Sequence, residues 1–169
     1  MHALFSTCDL CDAHREALHN NELRVLPPVF RSFGKINRFR GQIATVQCRD
    51  DNALIRSTLE SAGLARVLVV DGAASMKRAL LGGKLAALAA QNGWAGVVIN
   101  GCVRDVNEIQ QVPIGLLALA AMPAPPDKQG HGMVEAVLNI QDVIVRPGEW
   151  LYADEDGVII SHEQLGLAL

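Results

Sequence analysis

Two apolar runs stand out from the hydrophobic pattern: residues 65–72 (ARVLVVDG) and 95–105 (AGVVINGCVRD). Runs of this length without polar alternation predict strands covered on both faces. Residues 41–49 (GQIATVQCR) are β-branched and alternating, which predicts another strand. Segments of helical period lie between and before them. Residues 9–20 (DLCDAHREALHN) carry acids in the first turn, with Thr7 as the candidate N-cap. Residues 52–63 (NALIRSTLESAG) follow Asp50 and Asp51, either of which can cap a helix that Gly63 would end. Residues 75–93 (SMKRALLGGKLAALAAQNG) have helical period interrupted at Gly82-Gly83. Two adjacent glycines cost a helix roughly 2 kcal/mol relative to alanines. A break is expected there, with a fresh helix from Gly83 or Lys84.

Residues 25–39 (VLPPVFRSFGKINRF) hold a Pro-Pro pair and Gly34 and read as an irregular connection. The last third is different. Residues 115–121, 133–140, 143–154 and 157–161 are short strand-like runs, separated by turns such as RPGE and DEDG. Alternating strands and helices followed by a β-rich end predict an α/β fold with some parallel pairing. With no internal repeat or long linker, one domain over residues 1–169 is expected.

Composition narrows the function classes. Half of the 169 residues are hydrophobic and a fifth are charged, enough for a substantial core. The net charge is −3 and no long basic tract occurs, so nothing marks a nucleic-acid surface. The most apolar stretch, 114–126 (IGLLALAAMPAPP), breaks at Pro123, short of the ~20 residues a spanning helix needs. The N-terminal MHALFSTCDLCD has no basic start and meets Asp9 early, so no secretory signal is expected and a cytoplasmic location is the default. The chain has 4 cysteines, and Cys8 and Cys11 form a lone C-x-x-C. Without a second ligand pair, burial on one helix face is favoured over metal or redox chemistry. Cys48 and Cys102 are isolated.

The candidate chemistry sits after the apolar strands. Ligands in open α/β sheets gather beyond the carboxyl ends of the strands. Asp71-Gly72 ends one run and Gly101 to Asp105 closes another. Glycines leading into a helix leave backbone N–H groups bare at its positive end, which makes an anion site. Arg104 offers a planar fork of donors for a carboxylate or an enolate oxygen. Asp105 is a hard oxygen ligand of the kind Mg²⁺ or Mn²⁺ takes together with water and substrate oxygens. Together these suit a small α-keto acid whose C–C cleavage leaves an enolate. On spacing alone, the Arg-Asp pair also fits a solvated ion pair, and the double glycine fits a turn. His131 in the GHG sequence fits either a base or polar surface.

Residues 67–109 closely resemble the family of the regulator of ribonuclease E activity A and the 4-hydroxy-4-methyl-2-oxoglutarate aldolases. So do the CDLCDA, FRGQIATVQC, DKQGHG and RPGEWLYADEDGVIIS segments. The resemblance spans nearly the whole chain. It implies an α/β/β sandwich related to the swivelling β/β/α domains, and homotrimers with active sites between subunits. It further implies a class II aldolase that cleaves 4-hydroxy-4-methyl-2-oxoglutarate to two pyruvates with Mg²⁺ or Mn²⁺ and also decarboxylates oxaloacetate. By position, Arg104 would bind the pyruvoyl group and steady the enolate. Asp105 would hold the metal, with Glu108 in its outer water shell. Gly82, Gly83, Lys84 and Leu85 would give backbone amides to the substrate, and a water beside the ion would act as base. Family members that instead bind and inhibit ribonuclease E lack the aspartate after the arginine, so Asp105 favours the enzyme branch. One departure stands out: many aldolases have Gly-Asp where this chain has Gly82-Gly83. The resemblance also implies that the acid some larger aldolases send into a neighbouring site from a C-terminal extension is missing.

Overall fold

The two continuous apolar runs lie side by side in the middle of a large sheet. The computed structural model describes residues 5–166. In chain order the elements are α1 (Thr7–Ala13), α2 (Arg15–His19), β1 (Leu23–Val25), β2 (Arg31–Ser32), β3 (Phe39–Gln47), α3 (Ala53–Leu59), β4 (Val67–Asp71), β5 (Ala79–Leu81) and α4 (Gly83–Gln91). They continue as β6 (Gly96–Val103), α5 (Val106–Ile109), β7 (Gly115–Ala121), β8 (Met133–Val134), β9 (Leu138–Ile140), β10 (Val143–Val145), β11 (Trp150–Asp154) and β12 (Gly157–Ser161). The main sheet runs β1-β12-β11-β3-β4-β6-β7-β2, with β5 beside β6 and β8 beside β3. Neighbours among β3, β4, β6 and β7 are parallel, while β1, β12, β11 and β3 pair antiparallel. A separate hairpin joins β9 to β10.

The central strands are apolar throughout because both faces are covered. Ala44, Val46, Leu68, Val70, Val97 and Ile99 point to one face, against Ile55 and Leu59 of α3, Leu85 and Ala89 of α4, and Ile109 of α5. Their neighbours Ile43, Val67, Val69 and Val98 point to the other, against Leu138, Ile140 and Val145 of the hairpin and Leu151 and Ile160. Period-2 side chains thus read as an unbroken run. The layers are helix, sheet and β-hairpin, as expected for an α/β/β arrangement. No helix among the described residues is long and apolar enough to cross a membrane.

Several local expectations are corrected. Residues 75–78 are not helical, and Ala79–Leu81 is the strand β5, buried and paired with β6. Three apolar residues satisfy a strand as well as a helix turn, and tertiary pairing decides. The break at Gly82-Gly83 does start α4, as expected. The first helical segment divides at His14, and its cap is Ser6, whose hydroxyl accepts the Asp9 N–H. Thr7 is instead buried and gives its N–H (2.7 Å) and hydroxyl (2.6 Å) to Asp154, a partner 147 residues away that local rules cannot see. Residues 133–140 divide into β8 and β9 around Glu135, whose φ is +56°. Cys8 is exposed and Cys11 half-buried, so the buried-pair reading fails for Cys8. A hydrogen bond to Asp156 raises the Cys8 pKa, and burial raises that of Cys11, so neither thiol is primed as a thiolate.

The N-cap of α3 is Asn52 rather than Asp50 or Asp51; one residue before it, Asp51 reaches the Ala53 N–H at 3.0 Å. It also accepts the N–H groups of Gln129 (2.7 Å) and Gly130 (3.1 Å), pinning a distant loop to the helix start. Burial pushes the Asp51 carboxyl up, and the amides more than offset it, leaving its pKa lowered. Asp154 is lowered in the same way, by Thr7 and the Asp156 amide against burial. Each folded pKa lies below the unfolded value near ~3.9, so the stability contributed is complete above that value and lost as pH falls through the folded one. Thermal unfolding is therefore expected to be flat above about pH 5 and to weaken below about pH 4. Asp51→Asn should flatten that acid slope in a calorimetric series; an unchanged slope would exclude the carboxylate as its source.

Candidate active site

β4 ends at Asp71, opposite Asn100 in the ladder, and β6 runs on past it to Val103. Beyond β6 the chain turns sharply, because Asp105 adopts a left-handed conformation with φ +59°. Aspartate tolerates this region better than most residues, and the cost is still of order 1 kcal/mol. The turn starts α5 and sends the Asp105 carboxylate back to the N-terminus of α4. There its Oδ2 accepts the Gly83 N–H at 3.1 Å. The Arg104 N–H bonds Leu81 O at 2.9 Å, tying the same turn to β5.

Gly82 and Gly83 are needed here for space. Gly82 has extended backbone, and a Cβ on it would sit 3.4 Å from Arg104 Cγ and closer still to the Asp105 carboxylate. A Cβ on Gly83 would lie 2.8 Å from Glu108 Cβ and run into the Glu108 carboxylate. Glu108 thus fills the volume in which an aspartate at 83 would begin.

A cleft of about 420 Å³ opens at this junction. Gly82, Lys84, Leu85, Arg104, Asp105 and Glu108 all line it. Of the residues expected at the site, only Gly83 does not; it is buried beneath Glu108, and its amide serves Asp105 rather than the cleft. The N–H groups of Lys84 and Leu85 have no acceptor among the described residues. A second hollow of about 330 Å³ shares Arg104 and Asp105 and is walled by Ala121, Met122 and Pro123. The pair therefore stands on the ridge between two depressions. His131 is exposed and lines neither.

Among the further cleft residues, Asn52, Arg56 and Pro126 carried no signal in the sequence pattern, while Lys128 falls in the DKQGHG segment. Asn52 and Arg56 come from the start of α3, itself just past the carboxyl end of β3. Pro126 and Lys128 come from the segment after β7, which is anchored by Met122 N–H to Val103 O (2.9 Å) and Ala79 N–H to Ala124 O (2.9 Å). The rule that ligands gather beyond strand ends would point to α3, while Lys128 is marked only by its place in the family-like DKQGHG segment.

Asp105 and Glu108 have no salt-bridge partner among the described residues, and the guanidinium of Arg104 has none either. The described residues hold no cluster of three or more His, Cys, Asp or Glu that could cage a metal. Two hard carboxylates in an open, wet cleft do fit a divalent cation that keeps most of its waters, as Mg²⁺ does. A larger hollow of about 640 Å³ is lined by Leu23, Arg24, Ile144, Arg146 and His162. Its Arg24, Arg146 and His162 side chains already converge on the buried Glu149, so it offers less open charge than the smaller cleft.

Residues 7–160 match the RraA-like family, described as Aldolase/RraA. A protein of Albidiferax ferrireducens named "Putative 4-hydroxy-4-methyl-2-oxoglutarate aldolase" is 53% identical, covering 95% of this chain and 97% of its own length. Among solved structures, the RNA-processing inhibitor RraA from Thermus thermophilis superposes with TM-score 0.89 at 47% identity, covering 95% of this chain and 94% of that one. A Geobacillus kaustophilus structure described as S-adenosylmethionine: 2-dimethylmenaquinone methyltransferase gives TM-score 0.89 at 42% identity, covering 95% and 96%. Fold, motif and similarity over almost the full length converge, and the chain belongs to the RraA-like (Aldolase/RraA) family.

Proposed function

We propose that the protein is a divalent-metal-dependent lyase that cleaves 4-hydroxy-4-methyl-2-oxoglutarate to two pyruvates and decarboxylates oxaloacetate. The observation that carries this is the Asp105 carboxylate at the N-terminus of α4, beside an Arg104 with no salt-bridge partner among the described residues, in a cleft that also holds Glu108. The Albidiferax relative's name supports it. Asp105 would hold Mg²⁺ or Mn²⁺, with Glu108 ordering its water shell. When bound, the ion supplies Lewis-acid polarisation of the keto oxygen and a lowered pKa for nearby water.

The chain's own groups do the rest. The amides of Lys84 and Leu85, at the positive end of α4, bind the carboxylate next to the ketone. Arg104 faces the keto oxygen and stabilises the negative charge that grows there. In aldol cleavage the 4-hydroxyl proton passes to water in the cleft and the C3–C4 bond breaks. One pyruvate leaves, and its electron pair stays behind as a pyruvate enolate. Protonation at carbon releases the second pyruvate. In decarboxylation the same enolate forms as CO₂ departs. The catalytic assembly proposed is a homotrimer with clefts between subunits; exposed Met133, Val134 and Val137 provide apolar surface for it.

The test is pyruvate release from both substrates with Mg²⁺ or Mn²⁺ and after EDTA. Activity that EDTA removes and Mg²⁺ restores is the expected result; equal rates throughout would sink the metal mechanism. The likeness to the Thermus RNA-processing inhibitor favours a second reading, a regulator that binds ribonuclease E. A chain inactive on both substrates that captures that endonuclease at micromolar concentration would replace the first reading by the second.

A further inference from the structure

The cleft holds more positive charge than the chemistry above uses. Arg56, Lys84, Arg104 and Lys128 line it against Asp105 and Glu108, in a chain whose net charge is −3. Arg104 is assigned to the keto oxygen, and Lys84 contributes its backbone amide. Arg56 and Lys128 have no task, and neither lies in the Gly-Gly or Arg-Asp motif.

Their shared wall is tied together by hydrogen bonds from main-chain N–H groups to the Asp51 carboxylate and to main-chain carbonyls. Asp51 accepts N–H groups from Ala53, in the first turn of α3, and from Gln129 and Gly130, beside Lys128. Asn52 N–H bonds Asp127 O at 3.1 Å, and Asp127 N–H bonds Asp50 O at 2.8 Å. The Lys128 segment is thereby fixed to the start of the helix that carries Arg56. Arg56 uses its Nε on Glu60 at 3.1 Å, which leaves the ends of its fork available. Lys128 forms no salt bridge among the described residues.

We propose that Arg56 and Lys128 read the second carboxylate of the substrate, making the cleft selective for 2-oxo acids that carry a carboxylate at the end remote from the ketone. This rests on the aldolase reading and adds its specificity determinant. The six-carbon substrate keeps that carboxylate charged throughout cleavage, so its ion pairs persist into the transition state. Oxaloacetate differs, because its remote carboxylate is itself the group that leaves as CO₂. A cation that holds it stabilises the ground state and gives no rate advantage. The two reactions should therefore respond differently to loss of the same charges.

The experiment compares both reactions in the metal-loaded wild type, Lys128→Met, Arg56→Met and the double variant, which keep the apolar stems of these exposed side chains. For aldol cleavage, KM should rise about tenfold or more per residue, as expected for lost charge-assisted hydrogen bonds. The kcat for oxaloacetate decarboxylation should be unchanged or higher. If both reactions fall in parallel, or neither changes, the specificity assignment is overturned while the aldolase reading stands. If the wild type itself lacks both activities, the aldolase reading falls and this assignment falls with it.

Discussion

Asp105→Asn is expected to lower metal-dependent pyruvate release about a thousandfold, the equivalent of several kcal/mol of Lewis-acid stabilisation. Asparagine is the informative replacement. It tolerates the left-handed backbone at this position, φ +59°, where alanine would add strain of its own. Its amide oxygen can still accept the Gly83 N–H that now goes to Oδ2. What it removes is the negative charge, and with it the affinity for a hard divalent cation. Steady-state rates across a Mg²⁺ or Mn²⁺ titration, with a thermal melt to show that the fold is intact, would measure the loss. A variant that keeps wild-type rates at saturating metal would show that Asp105 is not the ligand.

Glu149→Ala is expected to cost about 3–5 kcal/mol of folding stability, the range for stranding one partner of a buried ion pair. The Glu149 side chain is 5% exposed and that of Arg24 is 11%. The carboxylate bonds an Arg24 terminal nitrogen, the His162 ring at 2.7 Å and the Arg146 N–H at 2.9 Å. It therefore joins β1, the turn before β11 and the residue that follows β12. Without it, Arg24 would keep only the Ile144 carbonyl, and its Nε is already buried without a partner. Glu149→Gln, which keeps shape and hydrogen-bonding capacity, should lose less. Urea denaturation read by circular dichroism would resolve both, and a midpoint unchanged in Glu149→Ala would refute the account.

Much of the candidate cleft was legible because its parts are local. The apolar runs ending at Asp71 and Asp105 mark strand ends. A double glycine before a helix marks bare amides, and Arg104, Asp105 and Glu108 fall on one short turn. The fold class followed from the same runs, since unbroken apolar strands demand cover on both faces. Other features were hidden because their partners are remote in sequence. Thr7 looked like a cap until Asp154 claimed its hydroxyl. Ala79–Leu81 looked helical until β6 offered a ladder. Arg56 and Lys128 share a cleft only because Asp51 fastens one segment to the other. Gly83 was expected to give its amide to the substrate, but that N–H bonds Asp105, a partner set by the turn after β6.

The contact between Gly83 and Glu108 makes the two positions one unit of inheritance. An aspartate cannot enter at 83 while the Glu108 side chain keeps its present place, since even its first carbon would lie 2.8 Å from Glu108 Cβ. A lineage moving between the Gly-Gly and Gly-Asp forms must shift the short helix that carries residue 108, because any side chain there keeps the Cβ that stands in the way, or cross a variant in which two carboxylates compete for one space. The order of steps is thus constrained by volume, and the effect of either substitution depends on which residue already occupies the other position.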